Sequence, residues 1–416
     1  MQALERKNKK KNFVWNALGL SFNAFNSLFF MIIVTLVNGV DLAGIFTYAF
    51  SLCCFFFVFS MYYTRTFQVS DSKNKFSFNE YLGCRVILSI VSLILIIVFS
   101  MISQFDFYKI FVIVLIMGFR TVEAISDCFY GVIQKHGELY KTGISLTAKA
   151  IGGVLLFLIL DLLTHNLLLS IGTLIITNII FFIFYDLKNY HKISKEKIHL
   201  SIKNISEILK ICFPVFLFTA LSIYLTNCQK YILTYFEPND VQTIFGILIM
   251  PATFLNIVGA YLINPFINRM TILAKRHKYK DFQQQAKKIL GILILGGIIC
   301  VTVCWFIGIP ILNIIYNLDL SNYRLSLVII VLSAVFYAAT MIISNFLTIL
   351  KNNVWQSVIY IIVSIFATIS SLWLITQNGI NGAVVSFLIS GLLLALLYLI
   401  LFSKAIYNLK KRQRDG

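Results

Sequence analysis

Charge is what this sequence has least of. Asp, Glu, Lys and Arg together make up 12% of its 416 residues, against 59% hydrophobic, and a soluble domain carries roughly twice that share of charge. The length would allow two or three soluble domains, but so few polar groups could not clothe them. Mean hydropathy is +0.86, so lipid is the solvent this chain suits. Histidine is scarce too: His136, His165, His191, His199 and His277 all fall between apolar runs. A glycine-rich phosphate loop is missing, which excludes ATP hydrolysis by the chain itself. The eight cysteines lie in or at the ends of apolar runs, which argues against disulfides. Cys300 and Cys304 are one helical turn apart, but no His or acid stands beside them. They read as packing residues, and neither a metal nor a cofactor is expected.

Long apolar runs are present throughout. Twelve of them lie near 13–36, 45–63, 81–101, 108–130, 143–163, 167–186, 211–233, 241–263, 289–314, 325–348, 354–375 and 383–402. Each is near the roughly 20 residues needed to cross a bilayer as a helix. Backbone groups in lipid must bond internally, so these runs are expected to be helices; they lack the alternation of barrel strands. The fold class that follows is an all-α polytopic membrane protein of about twelve transmembrane helices.

The net charge of +18 would suggest nucleic acid if it were spread over a surface. Instead, 29 of the 35 Lys and Arg sit at the N-terminus, in the 64–80, 131–142, 187–210, 264–288 and 349–353 connections, and in the tail from Ser403. The opposite connections are about ten residues or fewer, with Lys109, Lys230 and Arg324 at their borders. This asymmetry is the positive-inside pattern, which puts both termini in the cytoplasm and leaves no nucleic-acid partner. The basic start through Lys11 leads into a run long enough to span, so no cleaved leader is read there. The short outer connections cannot build the external catalytic loop of a polysaccharide polymerase, ligase or lipid-linked glycosyltransferase.

The 187–210 connection separates an N-terminal six-helix bundle, 1–186, from a C-terminal one, 211–416, with a basic tail. Ile198–Leu209 has apolar residues near helical spacing and is expected to lie on the membrane surface as a helix. The second run begins Asp41-Leu42-Ala43-Gly44-Ile45-Phe46 and the eighth Asp240-Val241-Gln242-Thr243-Ile244-Phe245. The equivalent placing suggests two repeats of one orientation.

Polar residues inside the runs carry the functional signal, since a charge at the bilayer centre costs about 2.5–3.5 kcal/mol even on the lenient insertion scale. Arg120, Glu123 and Asp127 share one helix face by spacing. Arg85, Lys149 and Asp161 add to them. At 1.5 Å per residue, Arg85, Glu123, Asp127 and Lys149 lie within about 10 Å of the cytoplasmic edge. Two readings stand. Arg120–Glu123 and Asp127–Lys149 are structural pairs, or the set forms an anion-attracting chamber whose carboxylates take up protons. Asn12, Asn16, Asn23 and Asn26 form an amide stripe that either glues helices or lines a passage for sugar hydroxyls. Asn227 and Lys230 share a face of the seventh run. Pro214 is expected to kink that run, and Pro251 and Pro265 to interrupt the eighth, as hinges.

Phe119–Lys149, FRTVEAISDCFYGVIQKHGELYKTGISLTAK, resembles the fourth and fifth spans of Wzx-type polysaccharide flippases in Arg120, Glu123, Asp127, Tyr130, Gly131, Gln134, Gly143, Ser145 and Lys149. The stretch from Phe213 with Asn227, Lys230 and Tyr231 is similar to their seventh span. That from Phe245 with Gly246, Pro251 and Pro265 is similar to their eighth. NGINGA at Asn378–Ala383 resembles the turn before their last. The likeness, extending to WNALGLSFNAF near the start, covers nearly the whole chain.

The resemblance implies two six-helix bundles around a central cavity, as in the multidrug/oligosaccharidyl-lipid/polysaccharide exporter superfamily, in the bacterial cytoplasmic membrane. It implies a non-enzymatic activity: moving an undecaprenyl-diphosphate-linked oligosaccharide from inner to outer leaflet by alternating access. Arg85, Arg120, Lys149 and Lys230, with Asn16, Asn23, Asn26 and Asn227, would contact that lipid-linked cargo. Glu123, Asp127 or Asp161 would couple a proton or sodium ion. A polysaccharide polymerase and a chain-length regulator would be its protein partners. O-antigen, capsule and exopolysaccharide units are all open as cargo. The alternatives are a cation-coupled drug or metabolite antiporter of the same superfamily, a membrane-embedded polysaccharide enzyme, and a non-transporting scaffold. The first would favour net acidic cavity residues and the second a catalytic set near an outer loop.

Overall fold

A computed structural model describes residues 2–71, 74–194, 196–350 and 352–415, with the side chains of 2–10, 256–262, 264, 265, 268 and 412–415 outside the description. The described residues are α-helical with no β-strand. The helices are α1 (Gln2–Asn38), α2 (Val40–Met61), α3 (Thr64–Ser70), α4 (Phe78–Ile102), α5 (Phe107–Lys135), α6 (Leu139–Thr164), α7 (Leu167–Phe181), α8 (Lys188–Ile193), α9 (Ile205–Phe236), α10 (Asn239–Lys275), α11 (Tyr279–Val303), α12 (Ile309–Tyr316), α13 (Arg324–Ile349) and α14 (Asn353–Asp415). Nine stretches among the described residues are long and apolar enough to cross a membrane. One of them, Asn353–Lys411, is two helices meeting at Gly379, whose φ of 52° and ψ of −128° are not helical. Dividing it there and adding the charge-bearing α5 and the long α10 gives twelve. The chain is an all-α multi-pass membrane protein.

Two compact units are formed, Met1–Ala220 and Leu221–Gly416. The boundary falls inside α9, because the start of that helix is held by unit 1. Ile208 and Cys212 are buried with Phe78, Tyr81, Phe129 and Tyr190, and Phe216 stacks on Tyr62 at 4.2 Å. In unit 1, α5 is the hub, touching α2, α3, α4, α6, α7 and α8, while α1 lies along α6. That last contact needs two glycines. A Cβ on Gly143 would stand 2.2 Å from the Trp15 carbonyl oxygen, and one on Gly19 would stand 2.6 Å from that of Gly143. In unit 2, α13 packs on α10, α11 and α14.

The 187–210 connection differs from expectation. Its part from Ile198 is not a surface helix; 196–202 is irregular, and α9 begins at Ile205. The strip is tied to the start of α4: Asn79 Nδ2 donates to Lys197 O at 3.2 Å, while its Oδ1 accepts from His199 N at 3.0 Å. Gly83 lets the strip approach, since a Cβ there would sit 2.0 Å from Ser201 O. Backbone groups satisfied by α4 have no need of a helix. The 264–288 connection also shrinks, to residues 276–278, because α10 and α11 extend beyond the apolar runs.

The expected interruptions at Pro251 and Pro265 are not where the helices change. α9 runs on through Pro214, and α10 runs on through Pro251 and the backbone of Pro265, the side chain of Pro265 lying outside the described residues. Losing one N–H bond does not break a helix that has no water to turn to. The departures are π-helical turns at Phe182–Leu187 and Cys304–Gly308. The second precedes Pro310, whose ring would otherwise crowd the carbonyl four residues back.

Candidate functional site

Unit 1 holds a partly open cavity of about 140 Å³. Its wall carries Asn23 and Asn26 of α1, Arg65 of α3, Glu123, Ser126, Asp127 and Tyr130 of α5, Lys149 of α6 and Asn178 of α7. Phe30, Phe57, Phe119 and Leu146 fill the wall between them.

The spacing of Arg120, Glu123 and Asp127 does bring them to one region, but the ion pairs are partly different from those expected. Arg120 Nη1 lies 2.6 Å from Glu123 Oε2. The Arg120 guanidinium is set behind the wall, 4.6 Å from the Phe50 ring and 5.3 Å from that of Phe57. Lys149 does not pair with Asp127. Its Nζ is 2.7 Å from Asp186 Oδ2 and also donates to Ser126 Oγ at 2.9 Å and the Tyr130 hydroxyl at 3.0 Å. Asp186 sits in the π-helical turn after α7 and is wholly buried. Asp127 lies between Ser126 and Tyr130, the two α5 partners of Lys149, but its carboxylate is taken up elsewhere, and Tyr130 bonds both Lys149 and Asp186.

Asp127 instead bridges two arginines. Arg65 Nη1 donates to its Oδ1 at 2.7 Å, and Arg85 Nη2 to its Oδ2 at 3.1 Å. Arg85, expected in the cavity, is wholly buried and outside the cavity wall. Its Nη1 donates to the carbonyls of Ser60 at 3.2 Å and Met61 at 2.6 Å. It therefore caps the open carbonyls at the end of α2. The chain then turns through Tyr62 and Tyr63, with φ of 40° and 57°, and this corner aims α3, with Arg65, back toward α5. The remaining Arg65 nitrogens, Nε and Nη2, donate to Gln134 Oε1 at 3.2 and 2.9 Å.

The other candidates separate. Asn23 and Asn26 face the cavity, but Asn16 does not line it, and Asn12 bonds Gly137 O at 2.8 Å and Tyr140 N at 2.9 Å. The stripe thus divides into a lining half and a gluing member. Asp161 is wholly buried off the cavity, taking Asn38 Nδ2 at 2.6 Å and Ser170 Oγ at 2.8 Å, and it fastens α1 and α7 to α6. Asn227 and Lys230 belong to unit 2. The Asn227 amide donates to Ile223 O of its own helix at 3.0 Å, and the Lys230 carbonyl accepts from Gln242 at 3.3 Å.

Arg65 and Asn178 in the cavity wall, and Asp186 buried behind it, are groups that the sequence reading misses. Arg65 had been assigned to a cytoplasmic connection and Asp186 to the end of a span. The signal for Asp186 was present: a lone acid in FFIFYDL had to find a cation.

No protein-family model matches the chain. Over 410 residues it is 24% identical to the capsular polysaccharide biosynthesis protein CapF of Staphylococcus aureus, spanning 95% of this chain and 100% of that protein. The lipid II flippase MurJ in an inward closed conformation superposes with a TM-score of 0.72 at 16% identity, over 95% of this chain and 90% of MurJ. A multidrug resistance MATE family transporter of the MOP superfamily, outward-facing, gives 0.61 at 12% identity over 97% of both chains. The chain has the MOP exporter fold. At these identities the likeness to the solved transporters and flippases is one of fold. In this exporter fold the cavity of unit 1 lies among α1, α2, α3, α5, α6 and α7, with three ion-paired clusters in or directly behind its wall.

Proposed function

We propose that the chain is a flippase that carries a lipid-linked oligosaccharide repeat unit across the bacterial cytoplasmic membrane by alternating access. The observation that carries this reading is the composition of the unit 1 cavity. Asparagine amides suited to sugar hydroxyls share one wall with Arg65 and Lys149, cations suited to a diphosphate, which equal the lining carboxylates Glu123 and Asp127 in number, while Arg85, Arg120 and Asp186 behind the wall leave the surroundings one positive charge in excess. A cavity built to expel cationic drugs would be surrounded by the opposite excess. The similarity to a capsular polysaccharide biosynthesis protein and the fold shared with a lipid II flippase support the same cargo class. Of the candidate coupling carboxylates, Glu123 and Asp127 face the cavity, so proton or sodium coupling is assigned to them. Transport into vesicles that continued unchanged after both gradients were collapsed would remove that assignment.

The test of the flippase reading is the leaflet position of the lipid-linked unit in a deletion strain carrying wild type or Asn23→Trp, which fills the cavity without removing a charge. Wild type should clear the unit from the cytoplasmic leaflet, and the deletion and Asn23→Trp should trap it there. Normal crossing in the deletion strain would overturn the reading.

A further inference from the structure

Four cations and three carboxylates meet around the cavity, and the one unmatched positive charge has a definite address. Arg120 and Lys149 each hold a carboxylate of their own, Glu123 and Asp186. Drawing either cation onto a cargo would leave a buried carboxylate unpaired, which is among the most destabilising events in a protein interior. Asp127 is different, since each of its oxygens has its own arginine.

Those two arginines are not equivalent. Arg85 is wholly buried and locked to the Ser60 and Met61 carbonyls. The Arg65 side chain is 23% exposed, stands in the cavity wall, and rides on the seven-residue α3. If Arg65 turns from Asp127 to an anion in the cavity, Asp127 keeps Arg85 and stays compensated. The other Arg65 contacts are to the neutral Gln134 amide oxygen and, at 5.8 Å, the Tyr130 ring, neither of which is left as a buried charge.

We propose that Arg65 is the cargo-binding cation of this cavity, exchanging Asp127 for an oxyanion of the cargo while Arg85 holds Asp127 in place. Asp127 is then an internal competitor that occupies the Arg65 fork when no cargo is present. This assignment rests on the flippase reading for the identity of the cargo. Its chemistry is an oxyanion that accepts paired guanidinium hydrogen bonds, supplied either by the carrier diphosphate or by an acidic sugar. Arg120 and Lys149 are positioning residues.

The experiment is binding by the purified full-length protein in lipid nanodiscs, followed by calorimetry, with farnesyl diphosphate, glucuronate and farnesol as probes. Wild type should bind one of the two anions, and whichever binds identifies the source; where it is farnesyl diphosphate, farnesol should bind more weakly. Arg65→Gln should weaken that binding about 10-fold or more, with its unfolding temperature close to wild type because Asp127 retains Arg85. Arg65→Lys, which keeps the charge but loses the fork, should fall between. Asp127→Asn should tighten binding several-fold by removing the competitor, and that gain should vanish in the Arg65→Gln background. A merely structural Arg65 would not produce this dependence. Equal affinity in wild type and Arg65→Gln, weaker binding in Asp127→Asn, or no anion binding by wild type would each overturn the assignment. If the deletion strain still traps its lipid-linked unit in any of those cases, the flippase reading survives without Arg65.

Discussion

The fourth span and the tenth hold equivalent places in the two six-span halves, and each is the hub of its unit, yet they bury opposite chemistry. The fourth, α5, buries Asp127, and Arg120 and Glu123 of the same helix are mostly shielded. The tenth, α13, buries Ser333, Thr340 and Ser344. The contrast extends to the units. Among the described residues, the buried polar groups of unit 1 include Arg85, Asp127, Lys149, Asp161 and Asp186, while those of unit 2 are neutral, with Gln229, Gln242, Gln356 and a series of hydroxyls. One fold therefore accommodates both a charged interior and a hydroxyl-lined one. In the first, removing one partner strands a charge; in the second, it forfeits one ordinary hydrogen bond. The two units should respond to mutation on different scales.

The largest difference is expected between Lys149→Leu and Gln229→Leu. Lys149→Leu leaves Asp186 wholly buried with its cation gone and one oxygen, Oδ1, already without a partner. A loss of about 3–5 kcal/mol is expected for breaking such a pair, and Lys149→Leu/Asp186→Leu should regain most of it. Gln229 in unit 2 donates to Ser371 and Ser386 at 3.4 Å each, and its Oε1 has no partner. Its replacement by Leu should change stability by about 1 kcal/mol or less. Thermal unfolding of the detergent-solubilised variants measures both. Similar losses in the two would show that the charged pairs of unit 1 are no more demanding than the hydroxyl network of unit 2.

A smaller contrast concerns how the first span of each half meets the fifth. In unit 1 the contact of α1 with α6 has hydrogen bonds at its ends, Tyr140 N to Asn12 and Asn38 to Asp161, and glycine against backbone at Gly143 and Gly19; in unit 2 a hydrogen bond, Tyr224 hydroxyl to Thr368 Oγ1 at 2.6 Å, joins the corresponding helices. Gly143→Ala should lower stability by about 1–3 kcal/mol, because its new methyl meets the rigid backbone of Trp15. Thr368→Val should cost about 1 kcal/mol. If Gly143→Ala instead stabilised the protein, as a helical Gly→Ala change does when space is free, the close approach of α1 and α6 would be wrong.

These particular residues also show how far the sequence can be read. The twelve apolar runs were visible because each must satisfy its backbone within itself, and Arg120 with Glu123 was visible because i,i+3 residues share a face. The exchange of partners at Asp127 and Lys149 was not. Pairing between helices depends on the rotation of each helix about its axis, which a span-long apolar pattern fixes poorly. Arg65 was hidden by a corner with two consecutive left-handed tyrosines, a conformation that no glycine or asparagine announced. Asp186 was hidden by a π-turn that shifts the register by one residue. Pro251 and Pro265 misled in the other direction, marking interruptions that the backbone of α10 does not show.

The smallest expected effect lies in the loops. In unit 1, the loop after α3 is organised by Asp71. Burial works to raise its carboxyl pKa, but the Lys75 and Phe76 amides, the Tyr81 hydroxyl and the Lys135 charge outweigh that and hold it below the usual aspartate value. In unit 2, Asp319 is fully exposed and lowered by its Ser321 contacts, first the side chain and then the backbone amide. A depressed carboxyl contributes stability that is fully present above its unfolded pKa, about 3.9, and is lost as pH falls through the folded value. Asp71→Asn should therefore lower stability by about 1 kcal/mol between pH 5 and 8, and the gap from wild type should close below about pH 4. Asp319→Asn should leave the unfolding temperature unchanged across the same range. A gap for Asp71→Asn that persisted at pH 3 would mean that the side chain's shape, rather than its charge, organises the loop, and would make the two loops alike in their indifference to acid.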